Sequence, residues 1–217
     1  MVDSQRLLLK DLITTDERFA RSINLKFDFY DDSSLPEYKF TQKSVDLLKD
    51  ILECADGRTR DRSWSIIGPY GSGKSIFSLL FLKLLCNTQS DWIDRSLGNL
   101  QLLAPDFLEY INAQHVESES GYIPVIVQGS NDSLDISLCS ALLDSTFPND
   151  GSPSWASDQF RESIEIAIET LQTGVSGSRL TIDLYKKAIQ LTKTQGYRGL
   201  VLAIDEFGKF LENAAWQ

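Results

Sequence analysis

The apolar positions of this chain fall mostly at helical spacing, interrupted by a few short, nearly unbroken apolar runs. After Thr41, a residue type that caps helix N-termini, Val45, Leu47, Leu48, Ile51 and Leu52 recur at helical intervals, and Gly57 stops the pattern. Residues 75–85 are apolar nearly all round (Ile76, Phe77, Leu79, Leu80, Phe81, Leu82, Leu84, Leu85), which predicts a helix buried on most sides. Weaker periodicity predicts helices over 4–13, 91–97, 105–113, 133–143, 159–171, 181–194 and 209–216. Residues 23–30 alternate apolar and polar through Ile23, Leu25, Phe27 and Phe29, the pattern of a half-buried strand. Three further runs predict buried strands: 64–67, 122–128 with Pro124 tolerable near its start, and 199–204. Segments 31–36, 147–154 and 173–178 are rich in Gly, Pro, Ser, Asn and Asp and predict loops. Helices alternating with buried apolar strands predict an α/β protein with a parallel sheet.

Composition narrows the classes. The 217 residues suffice for one large domain or one domain with an appendage. A formal charge of -10 argues against a broad basic face for nucleic acid. Arg58, Arg60 and Arg62 form a local basic run just before the first core strand, readable as a contact with nucleic acid or another subunit, or as a solvated loop that balances Asp56 and Asp61. The three cysteines, Cys54, Cys86 and Cys139, are widely spaced, which predicts reduced buried thiols and neither a disulfide framework nor a zinc site. The single histidine, His115, is expected in a loop or at a helix end, with no support for a histidine-based relay. No signal peptide is visible, and the longest apolar stretch is far short of the roughly 20 residues that span a bilayer. An intracellular, cytoplasmic protein without membrane partners is expected.

The stretch Gly68-Pro69-Tyr70-Gly71-Ser72-Gly73-Lys74-Ser75 fits G-x-x-x-x-G-K-[ST] at every fixed position, between a predicted strand and a predicted helix. That arrangement makes a phosphate cradle: backbone N–H groups converge on the anion at the positive end of a helix. Gly68 to Ile76 are the candidate nucleotide-binding residues, with Lys74 reaching the phosphates and the Ser75 hydroxyl on Mg²⁺. A second anchor lies at 199–206, where a run of apolar residues ends in Asp205 and Glu206. Carboxylates at the C-terminal end of a buried parallel strand stand where ligands bind in open α/β sheets.

Together the two segments resemble the Walker A and Walker B motifs of P-loop NTPases, in the division with an additional strand and a catalytic glutamate: the AAA+, origin-recognition and STAND-like ATPases. The resemblance covers about residues 63–206 and is specific only at its two ends. It implies a doubly wound parallel sheet of P-loop NTPase type with helical insertions, since 131 residues separate Lys74 from Asp205. Residues 1–56 would be an N-terminal extension packed on a core of 57–217. ATP and Mg²⁺ would be the ligands, with Ser75 and Asp205 on the metal and Lys74 and Glu206 catalytic. The pairing of GPYGSGKS with IDEFGKFLE is also similar to large ATPases of bacterial defence systems. In AAA+ proteins a polar residue after the second strand controls the catalytic glutamate, and Gln128, Ser130 and Asn131 are candidates for that contact.

The sequence stops 11 residues after Glu206, before the family's sensor 1 and arginine-finger positions. A piece of a longer protein, or a subunit completed by self-association or other subunits, is therefore expected, with ATP binding and weak turnover alone. Nucleic acid contacts would then have to come from other regions. Two alternatives stay open: a nucleotide-dependent switch or scaffold with slow hydrolysis, and an ABC or SMC-like ATPase. For the latter, Val175-Ser176-Gly177-Ser178 matches its signature motif only faintly.

Overall fold

Residues 24–30 carry the first departure from expectation: the alternating stretch is a helix, not a strand. In this computed structural model, which describes residues 22–116, 121–130, 132–148, 153–174 and 177–216, α1 spans Leu25–Tyr30. The Asn24 side chain accepts a hydrogen bond from the Phe27 N–H, and Asp28 accepts one from the Asn24 N–H. This reciprocal cap closes the first turn, and the i,i+4 pair Leu25 and Phe29 enters the core while Phe27 and Tyr30 stay exposed. Capping chemistry outweighs an alternation only a few residues long. The weak periodicity over 4–13 lies outside the described residues.

The other elements follow the pattern more closely. Helix α2, Gln42–Ala55, opens on a capping box between Thr41 and Ser44, and Gly57 beyond its end has φ 79°. Helix α3 spans Lys74–Leu85, α4 Asp91–Gly98 and α5 Pro105–Ile111. A π-helical turn, Asn112–Val116, follows α5 and contains His115. Strand β1 is Ile123–Gln128, α6 Leu134–Asp144, α7 Asp158–Gln172 and α8 Ser178–Thr194. Strand β2, Leu200–Asp205, leads through Glu206 into α9, Phe207–Trp216.

β1 and β2 pair in parallel, in register from Ile123 opposite Leu200 to Gln128 opposite Asp205. Because side chains alternate along a strand, the pair serves two cores. On one face Ile126, Val201 and Ala203 meet Leu25, Leu48, Phe77, Leu80 and Trp92. On the other, Ile123, Val125, Val127 and Ile204 meet Leu142, Phe160, Ile164, Ala188 and Phe210. The fold is thus mixed α/β, with helices on both faces of a two-stranded parallel sheet among the described residues. The doubly wound sheet expected from the sequence reduces to this pair.

Two expected buried strands are corrected. Residues 64–67 form no strand, and Ile67 is 90% exposed, with only Ile66 tucked against the first core. A strand exists only with a neighbour to share its ladder, and no described strand pairs with this segment. β2 is a parallel strand, as its sequence predicts, but it is not fully buried: Leu202 remains 43% exposed.

The strands are anchored at their N-terminal ends. The Arg198 guanidinium donates to Asp56 at 2.6 Å and to the Ala55 carbonyl, which also accepts from the Tyr122 hydroxyl. Tyr110 donates to Asp56 as well. This network ties the end of α2 to the starts of both strands and leaves their C-terminal ends open. Of the three clustered arginines, Arg62 donates to the carbonyls of Cys54 and Thr59, and Arg58 lies over the Tyr110 ring. Both brace the loop that follows α2.

All three cysteines are free thiols. Burial pushes the Cys86 and Cys139 thiols up, so little reactive thiolate forms near neutral pH. No helix among the described residues is long and apolar enough to cross a membrane.

Candidate functional site

The glycine-rich turn is shaped by backbone conformations that its composition permits. Gly71 and Gly73 have φ of 76° and 82°, the left-handed region that only glycine enters cheaply. At Gly68, a Cβ would lie 3.0 Å from Ser72 Oγ, so the two ends of the turn come close together. The Ser72 N–H closes the turn on the Pro69 carbonyl.

Helix α3 starts at Lys74, immediately behind this turn. Gly73, at its N-cap, has no side chain to offer the first-turn N–H groups. Helices α1, α2, α4, α6 and α7 carry a side-chain cap at the same place, while α5 and α8, like α3, have none. The beginning of α3 therefore keeps donors and a positive dipole end for an outside acceptor. Lys74 meanwhile folds onto its own loop, its Nζ donating to the Gly68 and Pro69 carbonyls at 3.0 and 2.9 Å. Those neutral acceptors leave its charge uncompensated, so an anion in the turn would be the stronger partner. Ser75 and Ile76 are half-buried just inside, while Tyr70 projects into solvent.

The turn opens onto a cavity of about 840 Å³. Its far wall is a part of the chain in which the sequence offers no motif: Pro36, Tyr38, Lys39, Lys43 and Leu47. Helix α4 holds this wall in place. The buried Trp92 indole donates to the Pro36 carbonyl, the Tyr38 N–H donates to Ser96 Oγ, and Asn99 donates to the Tyr38 carbonyl. The Tyr38 ring packs edge-on to Phe40 and tilted against Phe77 of α3. Polar edges on an apolar floor, beside the glycine turn, have the make-up of a small-molecule pocket. The partners of each bond lie more than fifty residues apart in sequence, so only the fold could reveal the wall.

Asp205 and Glu206 stand at the open C-terminal end of the sheet. By alternation Asp205 shares the face of Val201 and Ala203, the face on which α3 packs. The fold thereby sets the cradle and this carboxylate on one side of the sheet. Asp205 Oδ1 accepts from the Glu206 N–H at 3.0 Å, and its carbonyl accepts from the Gly129 N–H. Glu206 is one of two non-glycine residues with positive φ among those described, at 55°. Its carboxylate is not held by the polar residues that follow β1. Gln128 accepts from Asn24, and Ser130 bonds Ser137. Asn131 lies outside the described residues. Instead, Lys209 Nζ lies 2.5 Å from Glu206 Oε2. The i,i+3 spacing of Glu206 and Lys209 could have found this contact from the sequence.

Gly129 makes room for this corner. A Cβ there would lie 2.6 Å from the Glu206 carbonyl oxygen and 3.0 Å from Glu206 Cβ. Gly129→Ala is therefore expected to destabilise the chain by about 1–3 kcal/mol in urea unfolding and to displace Glu206. A variant as stable as the parent would show that the corner yields freely.

Comparison with known proteins brings no match: no family model fits the chain, and neither a curated protein nor a solved structure is similar to it.

Proposed function

We propose that this chain binds ATP with Mg²⁺ at the 68–76 turn and hydrolyses it, coupling the cycle to a conformational or assembly change. The observation that carries the reading is the uncapped start of α3 behind a glycine turn, opening onto a nucleotide-sized cavity. Backbone N–H groups at 71–76 and the Lys74 ammonium bind the phosphates, and the wall around Tyr38 takes the base. Ser75 and Asp205 supply a hydroxyl and a carboxylate, hard oxygen donors suited to Mg²⁺. When bound, the metal neutralises charge on the phosphate oxygens. Glu206, beside Asp205 on the open strand end, orients and polarises the attacking water. The resemblance to AAA+ and related ATPases supports this assignment, and the acid pair after a long apolar strand favours it over a GTPase, whose N-K-x-D motif is missing from the sequence.

Titration with a fluorescent ATP analogue and Mg²⁺ tests the reading. Saturable binding, competed by ATP, is expected. Lys74→Ala removes one charge-assisted contact, about 1.5–3 kcal/mol, and should weaken binding roughly ten- to a hundredfold. No binding by the parent chain at millimolar nucleotide would end the proposal.

A further inference from the structure

We propose that Lys209 is a positioning residue that holds the Glu206 carboxylate away from the water it would activate, so that hydrolysis requires this ion pair to open. The inference rests on Glu206 being the base.

Three contacts define the catch. Lys209 Nζ is 2.5 Å from Glu206 Oε2, and the Lys209 N–H donates to the Glu206 carbonyl, closing the first turn of α9. Glu206 enters that turn with left-handed backbone, which fixes where its side chain leaves the strand. Gly129, at the end of β1, lies under both side chains: a Cβ there would approach Lys209 Cδ at 3.2 Å and Glu206 Cβ at 3.0 Å. The lysine stem is thus seated between the strand end and the carboxylate. Both side chains are about half exposed, at 51% and 44%. An exposed pair of this kind biases a side chain only a few-fold, which suits a catch that opens under a small change in its surroundings.

The test uses the 217-residue chain, with ATP hydrolysis, analogue binding and melting temperature measured in parallel. Lys209→Ala should hydrolyse ATP about three- to fivefold faster than the parent, with analogue affinity unchanged. Lys209→Arg, which keeps a cation at similar reach, should show less than half of that rise. In the Glu206→Gln background the Lys209→Ala rise should vanish, and the Lys209→Ala melting temperature should match the parent's, which a general loosening of α9 would lower. A Lys209→Ala rate equal to or below the parent's, including both at background, overturns the catch. So does a rise that persists with Glu206→Gln. If the parent binds the analogue and the Lys209 variants stay flat, only the catch fails. If the parent does not bind it at all, the ATP reading fails and the catch falls with it.

Discussion

Lys83→Ala is expected to lower the unfolding free energy by about 3–5 kcal/mol, read as a shift in the urea midpoint at constant slope. Lys83 lies on α3, the helix that follows the glycine turn, and is only 2% exposed. Its Nζ sits 2.7 Å from Asp32 Oδ2, in the loop after α1, and over the Phe29 ring. The attraction is ionic rather than a directed hydrogen bond, since Asp32 Oδ2 has no hydrogen-bond partner. Truncating the lysine leaves a nearly buried carboxylate without its cation and removes packing along the stem. Burying charge is costly in itself, so the pair need not be net stabilising; breaking it is what costs. Lys83→Met, which keeps the stem volume, should recover only part of the loss. Lys83→Met with Asp32→Asn should recover most of it. A Lys83→Ala protein within about 1 kcal/mol of the parent would mean that Asp32 simply turns to water.

The contrast between α2 and α1 shows what the sequence could convey. In α2 the Thr41 cap, the apolar period and Gly57 all agree, and helix and boundaries appear as expected. In α1 the alternation of four apolar residues competes with a cap made by Asn24 and Asp28, and the cap wins. The shape of the glycine turn was legible because it is a property of glycine itself: φ at Gly71 and Gly73 depends on no distant partner. Whether 64–67 is a strand, and how deeply β2 is buried, depends on neighbouring strands, which no local pattern specifies. The cavity wall is of the same kind. Pro36 and Tyr38 are fixed by Trp92, Ser96 and Asn99, through bonds that local pattern reading does not reach. Asp205 lies between the extremes: its place at a strand end was legible, but its face follows from the register against β1.

Glu206→Gln should reduce ATP hydrolysis by about 10²–10⁴-fold while leaving nucleotide affinity within about twofold. The amide keeps the shape and length of the side chain, so the left-handed turn at Glu206 and the Gly129 contact survive. It loses the charge proposed to polarise water, together with the ion pair to Lys209. An effect on rate without an effect on binding is the signature of a group that acts in the transition state. Single-turnover hydrolysis with the chain in excess over ATP separates chemistry from product release. The parent's absolute rate does not enter this ratio, so even weak turnover suffices if it stands above background. Lys74→Ala provides the opposite profile, with affinity falling first. Light scattering with and without ATP and Mg²⁺ adds the coupling: if nucleotide drives assembly, Glu206→Gln should hold the ATP-dependent form longer than the parent, because the bound nucleotide is not consumed. A Glu206→Gln rate within about threefold of the parent would remove Glu206 as the base, and with it the reason for Lys209 to hold it.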